Sequence, residues 1–168
     1  MTSQEFDIRP TGPNDLEHVA ALHANAFGPG RFVRTAYRVR EDAPPTSPHC
    51  QCAWRGATLI GSVTLTAITI GAESGHWLLG PLAVRAGDMN RGLGQRLCAA
   101  ALKSIAANGA PLATVILIGD LAYYERLGFE ATIPGQIILP GPVDPARLLA
   151  WRNPDASEPM PAGTVRPG

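Results

Sequence analysis

The 168-residue sequence predicts an α+β fold, a mixed central β-sheet flanked by helices. Three observations carry that expectation. The elements run β-α-α-β-β-β-α-β-α-β, an antiparallel meander followed by alternating units, which is not the strict alternation of a doubly wound sheet. Residues 50–55 and 59–70 read as two antiparallel strands joined at Arg55-Gly56-Ala57. Residues 77–84 are almost continuously apolar, the pattern of a central strand buried on both faces.

Each element has a local justification. Residues 5–9 alternate, with Phe6 and Ile8 apolar, before the turn sequence Pro10-Thr11-Gly12-Pro13. Asn14 or Asp15 can cap a helix to Phe27 whose apolar side holds Leu16, Val19, Ala20, Leu22, Ala26 and Phe27. Gly28-Pro29-Gly30 ends it, and residues 31–40 form a second helix before a Pro-rich loop over 41–48. After the meander and the central strand, residues 92–108 repeat Leu93, Leu97, Ala100, Ala101 and Ile105 at helical spacing, with Gly109 suited to the C′ position. Residues 114–118 make another buried strand, Asp120 caps a short helix over 121–127, and residues 130–133 and 136–139 are short strands. Residues 1–152 are expected to form one domain. Residues 153–168, rich in Pro, Gly, Ala and Ser, form a tail expected to be disordered or loosely packed.

Composition excludes several classes of function. Fourteen basic residues balance fourteen acidic ones, so net charge is zero and the basic excess of a nucleic-acid-binding protein is missing. With 45% hydrophobic residues the chain can bury a core. No apolar run approaches the roughly 18 residues of a membrane span, and the N-terminus lacks the features of a secretory signal, so a cytoplasmic protein with no membrane partner is expected. Cys50, Cys52 and Cys98 lack metal or redox spacing and read as reduced structural thiols. In an alternating strand Cys50 and Cys52 would share a face. A neutral chain must hold any charged ligand with a local device.

That device is the run Leu82-Ala83-Val84-Arg85-Ala86-Gly87-Asp88-Met89-Asn90-Arg91-Gly92-Leu93-Gly94-Gln95. A buried strand runs out, a loop turns, and glycines open a helix whose first N–H groups have no internal partner. These donors and the positive end of the helix dipole make a pyrophosphate site. The pattern is not the G-x-x-x-x-G-K-[ST] of nucleoside triphosphate hydrolases, and no G-x-G-x-x-G follows the first strand.

Met89-Asn90-Arg91-Gly92-Leu93-Gly94 instead resembles motif A of the GCN5-related N-acetyltransferases (GNAT), Q/R-x-x-G-x-G/A. Gly92, Gly94 and the preceding Leu82 and Val84 match, while Met89 stands where that family usually has Gln or Arg. Because such a loop acts mainly through backbone N–H groups, Met89 should be tolerated. Ala122-Tyr123-Tyr124-Glu125-Arg126-Leu127-Gly128-Phe129 resembles motif B of the same family. Together the two motifs span the expected order of the fold, roughly residues 5–140. Leu79-Gly80-Pro81-Leu82-Ala83-Val84 and Gly119-Asp120-Leu121-Ala122-Tyr123-Tyr124 look most like the YhbS-type members.

The resemblance implies transfer of an acetyl group from acetyl-CoA, as co-substrate and without a metal, directly to a primary amine of a small-molecule, peptide or protein acceptor. It implies cofactor contacts from Leu82, Ala83, Val84, Met89, Asn90, Arg91, Gly92, Leu93, Gly94 and Gln95. Tyr124 falls on the tyrosine that serves as general acid toward the departing thiolate. It also implies two parallel strands, residues 77–84 and Thr114–Ile118, splayed to admit pantetheine, and it leaves a homodimer open.

His76 is the candidate base: it shares parity with Leu82 and Val84 along the strand, and a β-bulge between them would reverse that. Glu73, Glu41, Asp42 and His49 are weaker candidates. Arg31, Arg34 and Arg38 lie on one face of the second helix, read as a solvated face with a cationic acceptor rim as the alternative. The competing function is a catalytically weak acyl-CoA-binding sensor or interaction module.

Overall fold

The computed structural model describes residues 5–108 and 112–168, so Gly109 lies outside the described residues. The strands are β1 (Asp7–Pro10), β2 (Gln51–Arg55), β3 (Thr58–Ile70), β4 (Glu73–Val84), β5 (Thr114–Ile118), β6 (Glu130–Ala131), β7 (Ile137–Ile138), β8 (Leu148–Arg152) and β9 (Gly163–Pro167). The helices are α1 (Leu16–Phe27), α2 (Thr35–Arg40), α3 (Leu93–Ala107) and α4 (Leu121–Tyr124), the last continued by a 3-10 turn to Leu127. The sheet order is β1-β2-β3-β4-β5-β8-β6, with β9 beside β3 and β7 beside β9. All pairings are antiparallel except β4–β5 and β7–β9. This is the mixed, helix-flanked sheet that the element order predicts.

Alternation along β3 divides the core. Val63 and Leu65 face α3, meeting Leu93, Leu97, Ala101 and Ile105 together with Phe129, Leu149 and Trp151. Ile68 and Ile70 face the other way, into a cluster with Val39, Leu78, Ile116, Leu148 and Val165. The helix α1 adds Val19 and Leu22 over Cys52, Leu59 and Ala83 on that second side. Leu16, Ala20 and Phe27 of its apolar stripe line a cavity and Ala26 is exposed, so only part of its amphipathic face is spent on the core.

Two strands depart from the sequence expectation. The run Leu148–Arg152 is β8, inserted between β5 and β6, its Leu149 fully buried. The C-terminal segment, expected to be disordered or loosely packed, carries β9 paired with Ile68–Ile70 of β3, and Val165 is in the core. Its Pro and Gly residues turn the chain back before an ordinary strand. Asp15 also takes a different role from the expected helix cap: its carboxylate accepts both Arg9 guanidinium nitrogens at 2.8 Å and the Gly12 N–H at 2.8 Å. The Arg9 hydrogen bond, first among the causes, holds that carboxyl below its ordinary pKa despite burial.

Candidate active site

The site originates where β4 and β5 part. Their parallel ladder covers Trp77–Val115 and Leu78–Ile116, and beyond Leu78 no further β4–β5 pair forms. The parting coincides with a bulge. Val63 faces Leu82 and Leu65 faces Leu79, so β4 spends one more residue than β3 on this stretch, around Gly80-Pro81. Past the bulge the Arg85 N–H bonds the Ile60 carbonyl of β3 at 2.8 Å. By strand alternation the Leu82 and Val84 N–H groups point away from β3, into the gap facing β5.

Two hollows flank this gap. The smaller, about 370 Å³, is lined by Val84, Asp88, Met89, Asn90, Gly92, Leu93, Gly94 and Gln95 with Ala122, Tyr123 and Arg126. Asn90 and Gly92 hold left-handed backbone (φ 60° and 76°) that turns the chain into α3. No side chain caps α3, and its first internal bond is Arg96 N–H to Gly92 O at 3.1 Å. The N–H groups of Leu93, Gly94 and Gln95 therefore precede the helical ladder and remain available to an anion. Asp88, the one carboxylate here, is tied to Arg55 at 2.6 Å and Arg85 at 3.4 Å. Gly94 has a second reason to lack a side chain: a Cβ would overlap the Tyr123 hydroxyl. Gln95 Nε2 donates to the Tyr123 carbonyl at 3.1 Å, joining the start of α3 to α4.

The larger cavity, about 870 Å³, lies on the α1–α2 side and receives Leu79, Gly80, Pro81 and Leu82 from β4, Leu117 and Ile118 from β5, and Tyr124. The Tyr124 ring packs edge-on against Tyr123 and Phe129, at centroid distances of 4.8 and 5.7 Å. Burial, foremost, pushes its phenol above the ordinary 10, so it stays a proton donor at neutral pH. Thr64 and Thr66 of β3 and His23 of α1 complete the polar wall beside four arginines: Arg31, Arg34, Arg40 and Arg147. His23 Nε2 lies 3.3 Å from Ser62 Oγ. Desolvation, then Arg40 and Arg31, lower the His23 pKa to about 4, so the imidazole is neutral.

The predicted residues divide between these places. Val84, Met89, Asn90, Gly92, Leu93, Gly94 and Gln95 converge in the small hollow, and Leu82 and Tyr124 in the large one. Ala83 is buried under α1, so its side chain reaches neither, and Arg91 is exposed outside both. Arg96 stacks on Phe6, 4.4 Å from the ring centroid. His76 is a correction. The bulge reverses parity, so it shares the face of Leu78 and not that of Leu82 and Val84. It is 2% exposed, accepts the Thr114 N–H on Nδ1 at 3.1 Å, and lines neither hollow. Its position on the paired side of the parting makes it a latch between β4 and β5.

The weaker candidates fall outside too. Glu41 and Asp42 line neither hollow, Glu73 lies 3.8 Å from His76, and His49 packs edge-on to Trp77 with Nδ1 2.8 Å from Ser104 Oγ. The three cysteines are free and buried, but Cys50 faces the α3 side while Cys52 faces α1, where its thiol meets Thr11 Oγ1 at 3.0 Å. They do not share a face because Cys50 lies ahead of β2. Sequence reasoning missed His23, Arg40 and Arg147. Only their convergence in space marks them.

A sequence profile of the Acetyltransferase (GNAT) family matches residues 16–129. The chain belongs to that family. An N-acetyltransferase of Escherichia coli K12 described as uncharacterized, YhbS, is 30% identical over 124 residues, 73% of this chain and 72% of that protein. The crystal structure of E. coli YhbS in complex with CoA superposes with a TM-score of 0.80 at 24% identity, covering 97% of this chain and 89% of that one. A GNAT acetyltransferase from Brucella melitensis in complex with acetyl-CoA gives 0.72 at 24% identity, covering 98% and 97%. Among the described residues there is no cluster that could hold a metal ion and no helix long and apolar enough to cross a membrane.

Proposed function

We propose that the chain transfers the acetyl group of acetyl-CoA directly to a primary amine. The observation that carries this reading is the opening between β4 and β5, with uncapped helix donors on one side and the Tyr124 phenol on the other. The solved relatives that hold CoA or acetyl-CoA support it. The pyrophosphate lies on the N–H groups of Leu93, Gly94 and Gln95, and the pantetheine arm enters the gap. The Leu82 and Val84 N–H groups face the thioester and stabilise negative charge developing on its carbonyl oxygen.

The neutral amine attacks the carbonyl carbon, a C–N bond forms, the C–S bond breaks, and the electron pair leaves on sulfur. Tyr124 gives its proton to that thiolate and is reprotonated from solvent, while the amine's surplus proton leaves to water in the cavity. The apolar surroundings that raise the phenol's pKa also destabilise the thiolate beside it, which keeps the proton transfer near balance.

Thiol release from acetyl-CoA by the full chain, measured over a panel of amines, tests the reading. Saturable release is expected, and Tyr124→Phe should lower kcat roughly ten- to a thousandfold, as loss of a general acid does, with acetyl-CoA affinity nearly unchanged. Equal kcat in the variant would remove Tyr124 from the chemistry. Tight acetyl-CoA binding with no release on any amine would favour an acyl-CoA-binding sensor.

A further inference from the structure

The large cavity has an unbalanced charge. Arg31, Arg34, Arg40 and Arg147 line it, and Asp144 is its one carboxylate, already accepting the Ala146 N–H at 3.0 Å. The chain as a whole is neutral, so this excess is a local arrangement. Three of the four cations have visible engagements. Arg31 bonds the Gly28 carbonyl at 2.5 Å and covers the Phe32 ring, Arg34 lies over the Phe27 ring, and Arg147 approaches Asp120 at 3.7 Å.

Arg40 is different. It closes α2, and its guanidinium rests against Gly80 of the β4 bulge, with Nη2 2.8 Å from where a Cβ would stand. Its Nε is buried without a hydrogen-bond partner, and no carboxylate pairs with it among the described residues. Burial lowers its pKa to about 10, leaving it charged at neutral pH in a poorly solvated place. A desolvated, unpaired guanidinium is costly, and a ligand anion removes that cost. The planar fork suits a carboxylate or phosphate, which it can grip with two parallel N–H bonds.

On the acetyl-transfer reading above, we infer that the acceptor carries a compact anionic group, carboxylate or phosphate, besides its amine, and that Arg40 at the β4 bulge is the partner of that anion. Arg31 and Arg34 form the entrance that steers it. The same positive surroundings favour the uncharged, nucleophilic form of the acceptor amine and disfavour polyamines and lysine-rich peptides. Gly80 admits the guanidinium to the strand directly beside the gap where the thioester is attacked, so anion and amine sit on one short molecule.

The test compares matched acceptors with the full chain under saturating acetyl-CoA. Phenylalanine is set against phenylalaninamide for the carboxylate, and phosphoethanolamine against ethanolamine for the phosphate. The anionic member of at least one pair should have the higher kcat/KM, by on the order of tenfold or more, and the pair that responds identifies the anion. Arg40→Met should remove that preference through KM, with the neutral member and acetyl-CoA affinity little changed. Arg40→Lys should restore only part, because it returns the charge without the fork. A preference for neutral or cationic amines, or equal losses on both members of each pair, would overturn the proposal.

Binding supplies an arm independent of turnover. Succinate or inorganic phosphate should raise the Tm of the CoA-saturated protein, and Arg40→Met should abolish the rise while Arg38→Gln, outside the cavity, keeps it. Absence of any shift with both probes would overturn the anion site. Failure of acetyl-CoA to bind would instead overturn the transfer reading, and the Arg40-dependent shift, then measured on the protein without CoA, would still report on the anion.

Discussion

At the start of α3 the chain offers an anion only backbone: three N–H groups ahead of the helical ladder, with the single acid locked by two arginines. Across β4 the large cavity offers side chains, four guanidinium groups around one neutral imidazole. Backbone donors are fixed by the fold and insensitive to which residues carry them. Side-chain donors must be desolvated, oriented and left without internal partners before they discriminate. A cofactor shared by a whole family suits the first arrangement, and an acceptor particular to one member suits the second. The difference explains why motif spacing reveals the first region and hardly touches the second.

The sharpest way to break this contrast is a substitution that moves the backbone itself. Gly94→Val places a branched side chain where the Tyr123 hydroxyl sits and beside Leu82 Cδ2 at 3.4 Å, displacing the first turn of α3. Loss of hydrogen bonds to a charged pyrophosphate should weaken acetyl-CoA binding on the order of a hundredfold. Titration calorimetry on a variant with wild-type circular dichroism measures it. Unchanged affinity would place the pyrophosphate elsewhere.

A second experiment reads the burial and, after it, the positive field of the cavity through His23. The unfolded imidazole takes a proton near its ordinary 6.5, whereas the folded one resists to about 4. Between those values the unfolded chain binds more protons, so wild-type stability falls with pH and the whole loss is reached below about 4. Relative to His23→Gln, the wild type should lose up to about 3 kcal/mol across that window, less where solvent screens the ring. Urea titrations at pH 7, 5.5 and 4.5 measure it, and parallel curves for the two proteins would show that neither burial nor the arginines oppose its protonation.

The smallest effect belongs to Arg91. Exposed and outside the small hollow, it should matter only through weak screened attraction, so Arg91→Ala should change acetyl-CoA affinity by less than about threefold. A large loss would show that side-chain charge shares the pyrophosphate after all.

Long periodic or continuously apolar segments were legible from sequence: α1, β3, β4, α3 and β5 lie where their patterns predict. So was the loop of Met89 to Gln95, because a glycine-opened helix is a local arrangement. What escaped was non-local. The five residues of β8 form a short apolar run with no period of their own, and they become a strand only because β5 and β6 pair with them on either side. The strand β9 lies in a Pro- and Gly-rich segment whose composition says loop, and its partner is almost a hundred residues earlier. Of the three arginines on one predicted face, Arg31 and Arg34 reach the cavity and Arg38 does not, because a 3-10 turn (Pro29–Val33) precedes α2 and breaks the helical phase.

The extra residue in β4 makes that strand a phase shifter. Between His76 and Gly80, even-numbered positions look toward the second core cluster; from Leu82 on they look toward α3. Substitutions along the strand therefore keep their side of the sheet, but removal of a single residue between Leu79 and Leu82 would set Leu82 opposite Val63 in an unbroken ladder and take away the bulge at which β4 and β5 part. Length, more than side-chain identity, is what this stretch has to preserve as the sequence drifts.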